Sequence, residues 1–138
     1  MILKKLSVLS AALALISLPM IANANLETWN YTDEDSSVLI EKTNSCSGPA
    51  KMTPKRTNAA TPGHSTTTPF EVKAICRQLS GDCWAVLYPS NNCTGNKVAR
   101  ARITINKDLP AYVEENYDPE HYKVTYEGSN VYIRYAKE

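Results

Sequence analysis

Residues 83–106, CWAVLYPSNNCTGNKVARARITIN, carry two short apolar runs of different kinds on either side of a polar loop. In the second run Ala99, Ala101, Ile103 and Ile105 alternate with Arg100, Arg102 and Thr104. That is the period of a strand with one buried face. The first run, CWAVLY, is apolar at nearly every position, which reads as a strand covered on both sides. The polar PSNN turn folds the chain back between them, and Gly95 permits the backbone conformation such a reversal needs.

Working outward, the same alternation recurs. PFEVKAICR sets Phe70, Val72, Ala74 and Cys76 on one face and Glu71, Lys73 and Arg77 on the other, and is expected as a strand. HYKVTYEGSNVYIRY reads as a hairpin: Tyr122, Val124 and Tyr126 lead in, EGSN turns, and Val131, Ile133 and Tyr135 lead out. LETWNY and SVLIEK add two further strands. LPAYVEENY is expected as a brief helical turn that Pro119 ends. These segments predict an all-β fold, a small antiparallel β-sandwich or Greek key of about six to seven strands. Residues 44–69 stand apart, with four prolines, many threonines and almost no large apolar side chain. They are expected as a long flexible loop.

The chain has 138 residues. It opens with Lys4 and Lys5, continues through the apolar run LSVLSAALALISLPMIA and reaches Ala22-Asn23-Ala24. This is the pattern of a secretory leader, expected to span residues 1–24, with a single domain over residues 25–138. No stable membrane insertion is expected after leader removal. Without Lys4 and Lys5 there are 13 Lys plus Arg against 14 Asp plus Glu, a net charge of −1. That balance gives no global attraction for nucleic acid or an anionic membrane.

Cys46, Cys76, Cys83 and Cys93 form an even set in a small exported domain, which implies two disulfides. No C-x2-C spacing favours zinc. Three connectivities are open; the favoured one is Cys46–Cys76 with Cys83–Cys93, and its rival is Cys76–Cys83 with Cys46–Cys93.

No catalytic constellation is legible. Ser65 follows His64 without a nucleophile elbow. Glu114, Glu115, Asp118, Glu120 and His121 crowd one segment. Its acids could serve a small hydrolase, and Asp118, Glu120 and His121 are a secondary metal candidate. No cofactor is expected. Eight tyrosines and two tryptophans suit recognition better. The candidate binding residues are Lys51, Lys55, Arg56 and His64 in the long loop, with Tyr122, Tyr126, Tyr132 and Arg134 in the last hairpin. Asn30-Tyr31-Thr32 and Asn92-Cys93-Thr94 match the N-glycosylation pattern, which has no meaning in a bacterial product.

Residues 66–105 resemble the Greek-key hairpin of the βγ-crystallin family, with Tyr88 followed after four residues by Cys93, Thr94 and Gly95. The resemblance implies a bridge from Cys83 to Cys93 where that family places an aromatic. The leader, the size and AVLYPSNNCTG also resemble small β-rich type II secretion substrates of Gram-negative pathogens. Together these readings predict a non-enzymatic, monomeric protein, periplasmic or secreted, that binds a protein or glycan. An inhibitor or toxin-like crystallin-type module and a small hydrolase are the alternatives.

Overall fold

A computed structural model describes residues 24–47 and 52–138. The expected leader up to Asn23, and the candidate Lys51, lie outside the described residues. Nine strands and one helix are described: β1 (Leu26–Asn30), β2 (Ser37–Ile40), β3 (Ser45–Cys46), β4 (Gly63–Thr67), α1 (Pro69–Cys76), β5 (Gly81–Tyr88), β6 (Ala99–Ile105), β7 (Ala111–Asn116), β8 (Tyr122–Glu127) and β9 (Asn130–Tyr135). They form two sheets, β4-β1-β9-β8 and β3-β2-β5-β6-β7. All pairings are antiparallel except β1 with β9. The fold is the expected small β-sandwich, with more strands than the six or seven anticipated.

Alternation explains which side chains meet between the sheets. Ala85 and Leu87 of β5, Ala99, Ala101, Ile103 and Ile105 of β6, Val124 of β8, and Val131 and Ile133 of β9 are all buried in one cluster. The outer side of CWAVLY is covered too, but by side chains rather than by a second layer. Trp84 sits in register with Arg102, which pairs with Tyr112. Arg100 lies 3.9 Å above the Trp84 ring and is held there by Glu41 at 2.6 and 2.9 Å. The Arg100 guanidinium covers the indole, and Arg102 lies 4.2 Å over the Tyr112 ring beside it.

Four expectations are corrected. PFEVKAIC is a helix, not a strand. Thr68 and Glu71 form a capping box, with Pro69 in the first turn. The threonine hydroxyl and the glutamate carboxylate satisfy each other's backbone N–H, so helix initiation outweighs the alternating pattern. Burial then follows the helical set Val72, Ile75 and Cys76. The segment AYVEEN is strand β7 rather than a helical turn. It is an edge strand whose last residues are exposed, which weakens its alternation. Within 44–69, β3 and β4 are strands, and Ser36 bridges Thr53. β4 pairs along its whole length with β1. Its first residue must be glycine, because a Cβ there would lie 1.6 Å from the Pro54 carbonyl oxygen.

The fourth correction concerns the disulfides, which join Cys46 to Cys93 and Cys76 to Cys83. The helix is the cause: Cys76 ends α1 directly beside the start of β5, and the β5–β6 loop swings Cys93 over β3. The strand and the Cys83–Cys93 bridge implied by the crystallin resemblance are therefore replaced by α1 and by a bond to Cys46.

Candidate functional site

A polar cleft of about 320 Å3 opens at the end of the sandwich where β5 finishes. Four segments build it: the β1–β2 turn supplies Glu34, the β5–β6 loop Pro89 and Asn96, the β7–β8 turn Asp118 and His121, and β8 and β9 supply Tyr122 and Tyr135.

The β1–β2 turn is fixed from within. Asn30 is fully buried. Its side-chain oxygen accepts from the Thr32 backbone N–H at 3.0 Å and from the Thr32 hydroxyl at 2.7 Å. Its amide donates to the carbonyls of Glu34 at 2.7 Å and Pro54 at 3.3 Å. A side chain spent in this way holds the turn and is no glycan acceptor. The turn carries Glu34 to the cleft, where its carboxylate accepts the Tyr122 hydroxyl with both oxygens at 2.9 Å. Burial, then this bond, raises the Tyr122 pKa, so the phenol remains a donor at physiological pH.

Tyr122 and Tyr135 stack with centroids 6.1 Å apart. The Tyr135 hydroxyl accepts from the Asp33 backbone N–H at 3.0 Å. Arg56 lies 5.7 Å from the Tyr135 centroid and grips both Asp33 and Glu138 in bidentate fashion. Its hydrogen bond holds the Asp33 carboxyl below its ordinary range. On the opposite wall, Asp118 lies 2.7 Å from His121 Nδ1, and this hydrogen bond raises the histidine pKa.

The β5–β6 loop is tied by hydrogen bonds and a disulfide. The Ser90 hydroxyl donates to the Thr94 carbonyl at 2.8 Å and accepts from the Thr94 N–H at 2.9 Å. The Cys93 N–H donates to the Ser37 hydroxyl at 2.9 Å, beside the Cys46–Cys93 bridge.

The site therefore joins Tyr122 of the expected residues with Arg56 behind its wall. Glu34, Asn96 and Tyr135 also line the cleft and are not among the expected binding residues. The acid-rich turn NYTDE, directly after a strand, was the available signal. The other candidates lie elsewhere. Lys55 is exposed and donates its backbone N–H to Asp35 at 3.0 Å. His64, Tyr132 and Arg134 lie on the outer face of the four-stranded sheet. There His64 stacks on Trp29 at 3.9 Å, and Trp29 is in register with Tyr132. Arg134 lies 4.4 Å over Tyr31 and 5.2 Å from the Tyr132 centroid. Tyr126 is 47% exposed and meets Tyr112 edge-on.

The segment's acids are divided. Glu114 accepts from Arg102 at 3.0 Å and Glu115 is in register with Arg100, both away from Asp118. Among the described residues no three His, Cys, Asp or Glu side chains gather to hold a metal ion; of the secondary candidates Asp118, Glu120 and His121, Asp118 and His121 are hydrogen-bonded to each other.

A second cavity, of about 80 Å3, lies between the sheets beside α1. It is about half the size of an apolar cavity that takes benzene. The cleft is thus the larger of the two.

With that geometry in place, one solved structure aligns over most of the chain. It is the crystal structure of the Legionella pneumophila type II secretion system substrate NttC, with a TM-score of 0.59 and 16% identity, covering 81% of this chain and 97% of that one. The fold resembles that of a type II secretion substrate. At this identity the likeness is one of fold. No family model matches the chain, and no curated protein matches it in sequence.

Proposed function

We propose that this protein is an exported, non-catalytic binding protein whose polar cleft takes a sugar unit of a glycan. Export is supported by the leader pattern, by cysteines that are all paired, and by a fold shared with a secreted protein. The observation that carries the ligand class is the cleft itself. Two tyrosine rings stand beside two carboxylates, an amide and an imidazole in a concavity of about 320 Å3. A sugar presents C–H faces that pack on aromatic rings and hydroxyls that both donate and accept. Glu34 and Asp118 accept hydroxyl protons and retain lone pairs beyond those used by Tyr122 and His121. A cleft of this size fits a small ligand, whereas a protein partner needs a contact area of order 1,000 Å2 or more.

The test is a glycan array probed with the oxidised protein, followed by calorimetry on the best ligand. Asn96→Ala and Asp118→Asn, both on the rim, should each weaken binding by about tenfold or more. Retention of no glycan, or equal binding by both variants, overturns the proposal. If a protein were captured while the rim variants behaved as wild type, the site would move to the Tyr132 and Arg134 face.

A further inference from the structure

Register orders the outer face of the four-stranded sheet into three rows. Asn30, Thr67, Val124, Val131 and Ile133 are buried, so their neighbours along each strand turn outward. The middle row is His64, Trp29, Tyr132 and Thr125, each in register with the next. On one side of it run Thr66, Glu27, Asn130 and Glu127. On the other side run Tyr31, Arg134 and Lys123. Arg134 is in register with Lys123 and lies 4.4 Å over the Tyr31 ring.

One flank is therefore cationic and the other acidic. Glu27 is engaged by His64 and by the Thr66 hydroxyl at 2.7 Å. Asp33, the next acid past Tyr31, is gripped by Arg56. Arg134, Lys123 and Glu127 form no ion pair among the described residues. Lys123 and Glu127 stand four residues apart on one strand, about 13 Å, which is out of pairing reach within a chain. Two cations opposite each other with no acid between them repel. The arginines of the other sheet, Arg100 and Arg102, are each matched with a carboxylate.

We infer that this face is a contact between two copies of the chain, related by a two-fold axis lying along the middle row. That rotation keeps each strand's place in the row and exchanges the flanks. The cationic flank of each copy then lies over the acidic flank of the other. Lys123 of each copy meets Glu127 of the other, Arg134 meets Asn130, and symmetry makes every contact twice. The middle row meets its own copy, with Trp29 and Tyr132 near the centre, where interfaces favour aromatic side chains. The strands of the two sheets stay nearly aligned, as in other stacked sheets. Charge decides the occupant, because a partner of a single sign would be repelled by one flank. Four strands about 4.8 Å apart and five residues of about 3.4 Å rise give a face of about 19 by 17 Å. That size suits a reversible dimer rather than an obligate one. A dimer of this kind differs from the monomer expected from the sequence. None of the paired residues lines the cleft.

The test is sedimentation equilibrium of the oxidised protein from micromolar to millimolar concentration. The mean mass should rise toward that of two chains and fall back as salt is added. Lys123→Glu and Glu127→Lys should each weaken association by about tenfold or more, since each turns two attractions into repulsions. Mixing these two variants in equal amounts should restore association, because every facing pair is again opposite in charge. The double variant Lys123→Glu/Glu127→Lys should associate as wild type does, for the same reason. Trp29→Ala should weaken association by about tenfold. Circular dichroism of each variant checks that the fold is kept. Asn96→Ala should associate as wild type does, which separates this contact from the cleft. A wild-type chain that stays monomeric at millimolar concentration, folded single variants of Lys123, Glu127 or Trp29 that dimerise as wild type does, or a mixture that fails to associate overturns the inference.

Discussion

Where β5 begins, Cys76–Cys83 spans seven residues and ties α1 to the strand; where β5 finishes, Cys46–Cys93 spans 47 and ties the β5–β6 loop back to β3. The first end carries a short capped helix and the tight turn that leads into β5. The second is a hydroxyl- and carboxylate-rich cleft. One bridge is local and shapes a turn. The other closes a segment that contains β4, α1 and β5. The contrast teaches that a short strand sandwich can give its two ends unrelated chemistry, because the ladders hold the middle and each end is secured separately.

The largest expected difference lies in the bridges. In the loop-entropy account, the 47-residue closure contributes about 4 kcal/mol and the seven-residue closure about 2.4 kcal/mol. Urea unfolding of Cys46→Ala/Cys93→Ala should therefore show the greater loss, and Cys76→Ala/Cys83→Ala the smaller. Equal losses would break the comparison.

A finer test removes one polar anchor from each end. Asn30→Ala strips partners from Thr32 and from the carbonyls of Glu34 and Pro54. It should cost about 2–3 kcal/mol, because buried polar groups are left unmet. Thr68→Ala removes only the helix cap and should cost about 1 kcal/mol.

The smallest effect is a pH dependence confined to the cleft end. Asp118 raises the His121 pKa above its ordinary 6.5. A raised folded value means that the pair's stabilisation is complete below the unfolded pKa and is lost as pH rises through the folded one. Melting temperature should drop slightly above pH 6.5, and Asp118→Asn should flatten that drop.

Much of the sandwich was legible because alternation survives wherever one face is buried, as in β6, β8 and β9. It failed where another local rule was stronger or the pattern was absent. In TPFEVKAIC the capping box and the proline decide for a helix, although Phe70, Val72, Ala74 and Cys76 alternate as a strand would. β4, with sequence GHSTT, has almost no apolar residue to alternate; it is a strand because β1 offers it a full ladder and Pro54 leaves room only for glycine. The disulfide pairing followed from the misread helix.

Of the cleft, Tyr122 was recognisable by composition. Its partner Glu34 lies 88 residues away. Such a contact is created by sheet packing, and no local spacing encodes it. Tyr132 and Arg134, expected as binding residues, share one face of β9, and that face is the outer surface of the sheet, apart from the cleft.

The two bridges are nested, with Cys76–Cys83 enclosed by Cys46–Cys93. A chain threaded through a membrane from its N-terminus presents Cys46 first and Cys76 next, and the native partner of Cys46 arrives last. An oxidase that joins thiols in order of emergence would link Cys46 to Cys76, a pair absent from the native set. Thiolate attack on that bond must then redistribute it. The yield of native protein should accordingly depend on a disulfide isomerase in the compartment where the chain matures.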